Sequence, residues 1–469
     1  MKRILTQTFR YRGQQRPLTV KASKPHETAS MATLFMGLFR LPGIIKIITN
    51  MGEVPMKRRS FVKGLGAFGT VAASGGLAAP SLILGTRSAY AQNGEIPVGL
   101  LFSLTGAVAV VERTLHDAAL MAIEEINAAG GVHGMQLKTF IEDPASDPAT
   151  YADRARRLMI RDNCVSVFGS YTSASRQAVL PVVESRNNLY WYPTLYEGRE
   201  CSRNIMYGGA VPNQQQQDFV PWLFENFGGR FYLIGNNYVY PKEENNVCKM
   251  LLGQLGGEVV HEEYVPLGHS DFSSVINRIR SEKPDVIFCT LVGDSDVAFQ
   301  RQYHAAGFNP EEMPVASLTR SEVEVAAIGG EAAVGHFSSA PYFMGHSSPE
   351  NERFVEAYKA RWGGDQVTHF VSEAAYFQVY QFKAALEKLD PANITPQAIR
   401  DAAVGLTVTA PQGEVLVDPN LHTHLWPKIA RWKSDGQAEI LIQSAERVAP
   451  DPYWAYEGET CTGEGLVRS

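Results

Sequence analysis

Hydroxyl groups recur in this chain at the places where a ligand-binding protein would want them. Short apolar runs end again and again in serine, threonine or tyrosine. "VSVFGS" leads to Tyr171, Thr172 and Ser173, and "NLYWY" leads to Pro193, Thr194 and Tyr196. "FYLIGNN" leads to Tyr238 and Tyr240, "DVIFCTLV" to Gly293 and Asp294, and "VASL" to Thr319 and Ser321. A hydroxyl both donates and accepts, so it can match the carbonyl and the N–H groups of a small neutral solute. Aromatic walls exclude water and limit size, and an analogue that leaves buried polar groups unpaired is rejected. An amino acid would want fixed charges for its ammonium and carboxylate. Glu373 and Asp294 could supply an acid, so that alternative stays open. Each residue also has a structural reading: Ser173 as a helix N-cap, Tyr192 as a core tyrosine, Thr194 as a turn residue. The repetition at successive strand ends carries the functional reading.

The elements that must position these residues follow a regular rhythm. From Glu95, "IPVGLLFSL" reads as a strand. The next segment keeps helical spacing at Leu115, Ala119, Ala122, Ile123 and Ile126 and closes on Gly130–Gly131. "MQLKTFIED", "CVSVFGS" and "NLYWYP" are further strands, separated by helical stretches. After Asn213 the rhythm restarts with "RFYLIGNN", "EVVHEEYVP", "DVIFCTLVG" and "PVASLT". Strands alternating with helices imply parallel sheets covered on both faces. Two such runs predict an α/β fold of two lobes. In open parallel sheets, ligands bind beyond the carboxyl ends of the strands, where the hydroxyl residues stand.

The ends of the chain differ in charge. The first 91 residues hold 14 Lys and Arg against Glu27 and Glu53 alone. The whole chain is −6, so the remainder carries −18. An acidic body makes nucleic acid an unsuitable partner. From Met56, "MKRRSFVKGLGAFGTVAASGGLAAPSLILGTRSAYAQ" places Arg58–Arg59, a weakly apolar stretch and Ala89-Tyr90-Ala91 in order. That order resembles a twin-arginine export signal with an A-x-A cleavage site. Residues 56–91 are therefore expected to be a signal peptide, and 1–55 an extension from an upstream start codon. The apolar run in 1–55 is broken by Arg40, Pro42 and Gly43 and is too short to span a membrane. Gly64, Gly66 and Gly69 match G-x-G-x-x-G, but no strand precedes them, so no dinucleotide site is expected.

Catalytic motifs are missing from the chain. G-x-S-x-G, H-E-x-x-H and the P-loop do not occur. His422 and His424 form H-x-H in a turn-like stretch and read as solvated or capping residues rather than metal ligands. Adjacent Glu124 and Glu125 read as a solvated helix face. Cys164 and Cys289 sit in or beside apolar runs and read as buried thiols. Cys201, Cys248 and Cys461 lie in polar stretches, and an oxidising compartment would permit one disulfide among them without fixing the pair. The reading is non-enzymatic, without cofactor or metal.

Taken in order, "VGLLFSLTG", "EDPASDPATYADRARRL", "VFGSYTSASRQAVLPVVE", "YPTLYEG", "NIMYGGAVPNQQ", "IGNNYVYPKEEN", "GDSDVAFQRQYHAAG", "EAAYFQVY" and "APQGEVLVDPNLHTHLW" resemble type I periplasmic solute-binding proteins. The resemblance is to the branch that binds urea and short-chain aliphatic amides, which includes amide-sensing regulators of amidase operons. It implies two α/β lobes closing on a small ligand, delivered to the membrane permease of an ABC transporter. It implies lobe 1 over 95–210 and 344–410, and lobe 2 over 211–343 and 411–460. It implies a ligand site of Tyr171, Ser173, Tyr192, Thr194, Tyr238, Gly293 and Thr319. Two departures from the family's pattern, Asn237 in place of an acid and Leu195 in place of a second proline, bear on pocket shape. An exported receptor and a cytoplasmic sensor would share this fold, and the leader favours the receptor.

A first prediction follows from the leader. Lysine at positions 58 and 59 should leave uncleaved precursor in the cytoplasm, because the export machinery reads the paired guanidinium groups. Cell fractionation checks this, and mass spectrometry should place the mature N-terminus near Gln92.

Overall fold

The computed structural model describes residues 94–468, together with a short antiparallel pairing of Arg10–Tyr11 with Gln14–Gln15. The twin-arginine segment and the G-x-G-x-x-G match lie outside the described residues.

Ten strands and nine α-helices, largely alternating, make up the first two-thirds of the described body. They are β1 (Glu95–Leu101), α1 (Ala109–Ala128), β2 (Gln136–Glu142), α2 (Pro148–Arg156), β3 (Ser166–Gly169), α3 (Ser173–Arg186), β4 (Leu189–Tyr192), β5 (Ile205–Tyr207) and α4 (Pro212–Phe227). Then come β6 (Arg230–Asn236), α5 (Val239–Leu255), β7 (Glu258–Val265), α6 (Ser273–Glu282), β8 (Val286–Thr290), α7 (Asp294–Ala305), β9 (Val315–Ser317), α8 (Glu322–Ile328), α9 (Gly330–Ala333) and β10 (Phe337–Ala340). The first sheet has the order β2-β1-β3-β4-β5, all parallel. The second repeats it as β7-β6-β8-β9-β10. Both are thus doubly wound, each reversing direction between its first and third strands.

The chain then returns to the first lobe. Helices α10 (Pro349–Trp362) and α11 (Phe370–Glu387) pack along α1. The short helix α12 (Pro396–Ala403) packs on α11. A small antiparallel sheet of β11 (Thr407–Ala410), β12 (Gly413–Val417) and β13 (Thr423–His424) follows. Strands β14 (Lys428–Trp432) and β15 (Ala438–Gln443) extend the second sheet antiparallel beyond β10. A hairpin of β16 (Glu459–Thr462) and β17 (Gly465–Arg468) ends the described chain. A disulfide between Cys201 and Cys461, with Cα atoms 5.6 Å apart, ties this hairpin to the loop after β4. Cys164 and Cys289 are buried free thiols, as their apolar context predicts, and so is Cys248 despite its polar neighbours.

Strand β4 shows how the two-residue period of a strand sorts its side chains. Leu189 and Trp191 enter the core beneath α1 and α11, while Tyr190 and Tyr192 enter the opposite core with Tyr151 and Tyr207. Trp191 is fully buried, stacked on Phe168 at 5.6 Å and edge-on to Phe382 at 6.0 Å.

The histidines of the H-x-H pair correct the sequence expectation. His422 is buried rather than solvated. It stacks on Tyr207 at 4.1 Å, and its burial lowers its pKa to about 4. His424 is partly buried against Asp418 at 2.9 Å. Among the described residues no cluster of ligating side chains could hold a metal. Glu125 also departs from a solvated face, since Tyr376 and Tyr380 both donate to its Oε2 at 2.6 Å.

Removing the indole should leave an uncollapsed cavity between sheet and helices. Trp191→Ala should therefore lower unfolding free energy by roughly 3–5 kcal/mol, read by denaturant titration, with any loss of ligand affinity secondary.

Candidate functional site

The carboxyl ends of the two sheets face each other. Between them lies a cavity of about 10 Å³ lined by Tyr171, Ser173, Thr194, Leu195, Tyr238, Tyr240, Val292 and Thr319. Tyr171 to Leu195 follow β3 and β4 of the first lobe, while Tyr238 to Thr319 follow β6, β8 and β9 of the second. Of the seven residues singled out from the sequence, five line it: Tyr171, Ser173, Thr194, Tyr238 and Thr319. Tyr240 stands among the strand-end residues read from the sequence but outside the predicted site, and Leu195 appears there only as a departure from the family's pattern. Not one lining side chain carries a charge.

Tyr192 stands one layer back. Its ring is fully buried within β4, and its hydroxyl donates to the Tyr171 carbonyl at 2.8 Å. It therefore shapes the loop that carries Tyr171 rather than the cavity surface. Ser173 is not the helix cap: Thr172 caps α3 by accepting from the Ser175 amide at 3.1 Å, and Ser173 is the first helical residue. The start of α3 thus stands at the cavity, where its partial positive charge is concentrated.

The hydroxyl protons are already assigned. Thr194 donates to the Ser170 carbonyl at 3.1 Å, and Thr319 donates to the Leu291 carbonyl at 2.5 Å. Ser173 donates to the Glu197 carboxylate and accepts from Arg176 at 3.1 Å. These three oxygens offer lone pairs to the cavity and no protons. The hydroxyls of Tyr171 and Tyr240 are buried without a partner. Burial, with the nearby carboxylates adding to it, raises both pKa values well above the usual phenol range, so both stay protonated. The lining thus combines three hydroxyl oxygens whose protons are engaged elsewhere with two phenols that have no partner.

Anchoring groups hold this geometry from behind. Glu112 is fully buried and accepts from the Tyr171 amide at 3.2 Å, and also from the Ser103 amide and the Tyr151 hydroxyl. It thereby fixes the loops after β1 and β3 at the point where the first sheet reverses. In the second lobe Arg320, next to Thr319, is buried against Asp296 at 2.6 Å.

Gly293 does not line the cavity but marks where the lobes meet. It has φ +55°, and a Cβ there would stand 2.8 Å from the Ala107 carbonyl oxygen of the first lobe. Only glycine combines that backbone conformation with so close an approach. At the rim, Arg199 of the β4 loop pairs with Glu243 of α5 at 3.1 Å.

A match to the family model described as "Periplasmic binding protein domain" covers residues 96–459. The chain belongs to this family. Similar curated proteins include the "Leucine-, isoleucine-, valine-, threonine-, and alanine-binding protein" of Pseudomonas aeruginosa, 26% identical over 327 residues, covering 69% of this chain and 86% of that one. The "Leu/Ile/Val-binding protein BraC3" of Rhizobium johnstonii is 27% identical over 318 residues, covering 66% and 83%. Among solved structures, a solute-binding protein from R. palustris in complex with benzoate has a TM-score of 0.69 at 17% identity, covering 76% of this chain and 98% of its own. A branched-chain amino acid binding protein from Streptococcus pneumoniae in complex with isoleucine has a TM-score of 0.67 at 18% identity, covering 76% and 100%. These structures share the two-lobed α/β fold of type I periplasmic binding proteins.

Gly293→Ala should hold the lobes apart. Ligand affinity should fall roughly tenfold, the effect of about 1.4 kcal/mol, and the compaction on ligand binding seen by X-ray scattering should shrink. Unfolding should be only modestly easier, by about 1 kcal/mol or somewhat more.

Proposed function

We propose that this protein is an exported receptor that captures urea or a short-chain aliphatic amide and delivers it to the permease of an ABC transporter. The observation that carries the reading is the lining of the cavity: three hydroxyls whose protons are engaged elsewhere, two unpartnered phenols, and no charged side chain. A urea or primary amide supplies N–H donors for those lone pairs and one carbonyl for the phenols. The cavity is small, comparable with the room one water needs, so the lobes must part least for the smallest solutes. Export by the twin-arginine route and a periplasmic location remain part of this proposal, resting on the leader sequence.

A second reading, an amino-acid receptor, is favoured by the names of the curated relatives. In its favour, the α3 start suits a carboxylate oxygen. Against it, neither candidate acid is at the cavity. Glu373 accepts from Gln412 through both its backbone and side-chain nitrogens, and Asp294 is exposed at the start of α7.

Thermal denaturation of the mature protein with urea, formamide, acetamide, propionamide, leucine, isoleucine and benzoate discriminates the readings. A ligand at a hundred times its Kd stabilises the folded state by about 2.7 kcal/mol. A rise in Tm with urea or an amide and none with the others is the expected outcome. A rise with leucine or isoleucine alone would replace this reading by the second.

A further inference from the structure

Arg176, the donor to Ser173, is a fully buried arginine whose other bonds the site described so far leaves out. Its Nη2 donates to Glu197 at 2.9 Å and its Nε to Glu200 at 2.8 Å, while its Nη1 reaches Ser173. The guanidinium lies over the rings of Tyr196 at 4.3 Å and Tyr192 at 5.0 Å. Glu197 is itself only 2% exposed. Burying an arginine and a carboxylate, with a second carboxylate only partly exposed, is costly and stabilises a fold poorly compared with apolar packing. What the cluster does at the cavity is chemical: Glu197 takes the only proton of Ser173, and Arg176 fills one of its lone pairs. That leaves Ser173 with no proton and at most one lone pair to offer a ligand. A carboxylate accepts only, so while Glu197 is ionised this assignment cannot reverse.

We infer that Glu197, held by Arg176, is a specificity-determining positioning residue: it fixes Ser173 as a hydrogen-bond acceptor, so that the receptor selects a solute bearing N–H groups and rejects oxygen-only and anionic isosteres. The inference deepens the proposed function and rests on it. The cluster of one arginine and two carboxylates adds net negative charge behind the cavity wall. An anionic ligand meets both that field and a lone pair, which oppose the favourable charge of the α3 start, whereas an N–H donor is favoured by both. Thr194 and Thr319 carry the same polarity, but backbone carbonyls set it there. At Ser173 a side chain sets it, so a single substitution can change it.

The test uses three planar solutes of nearly the same shape. Acetamide, acetone and acetate keep the carbonyl and differ in whether the second arm is NH₂, CH₃ or O⁻. Calorimetric titration of the mature wild type should rank acetamide above acetone and acetate. In Glu197→Gln the new amide can donate to Ser173, which frees the serine proton to face the ligand. The ratio of acetamide to acetone affinity should then fall roughly tenfold, the usual scale of one buried hydrogen-bond mismatch. A merely structural role would weaken all ligands together and leave the ratio unchanged. A folded Glu197→Gln protein with the wild-type ratio would overturn the inference and leave the proposed function standing. If Glu197→Gln does not fold, Ser173→Ala takes its place, because removing the acceptor should collapse the same ratio, and an unchanged ratio is again refutation. A wild type that binds neither urea nor any amide would instead overturn the proposed function itself.

Discussion

Parallel strands all finish at one edge of their sheet, and that edge has to be closed by loops and helix starts. This constraint organises the whole molecule. Both sheets reverse direction between their first and third strands, so in each lobe two loops diverge and leave a notch. Setting the two notches face to face makes the cleft. Everything at the cavity comes from a strand end: Tyr171 and Ser173 from β3, Thr194 from β4, Tyr238 from β6, Val292 from β8 and Thr319 from β9. Glu112 holds one notch open at a fixed width by binding the backbone on both of its sides.

Around the notch the protein uses buried ionic and hydrogen-bonding groups where a purely structural core would use aliphatic ones. The two faces of the first sheet are packed with Trp191, Phe168 and Phe382 on one side and with tyrosines on the other. A tyrosine-rich layer suits a wall that must be rigid and yet contribute hydroxyls at its margin. Tyr192 shows the division of labour. Its ring belongs to the core, and its hydroxyl positions the backbone of a residue that does line the cavity.

Much of this was legible in the sequence because apolar strand runs with polar ends follow directly from a parallel sheet buried on both faces. The strands that could be read this way, from "IPVGLLFSL" to "PVASLT", are where the structure has them. Less legible were β5, β10, β14 and β15. Ile205–Tyr207 is only three residues long, too short for a period to register. Strands β14 and β15 lie outside the alternating pattern and join the sheet antiparallel after the chain has passed back through the first lobe. The cavity residues could be listed from their positions at strand ends. Which of them faces inward could not, because Tyr192 and Thr194 are two residues apart and only the turn at Pro193 decides that they diverge. His422 was misjudged for a related reason. Its burial comes from stacking on Tyr207, more than 200 residues away in sequence, and local polarity carries no trace of such a partner.

The disulfide joins positions separated by 260 residues. On a chain made from its N-terminus, the loop carrying Cys201 is finished long before Cys461 exists. The bond therefore cannot form until nearly all of the body has been synthesised. Its partner segment also touches both lobes: the Gly198–Arg199 turn binds the Pro452 carbonyl, while Tyr456 donates to Glu243 of α5 at 2.6 Å. A molecule that carries this bond has thus had its tail drawn across from one lobe to the other. Oxidation here reports that the chain has been made at least as far as Cys461 and has folded back onto the loop after β4.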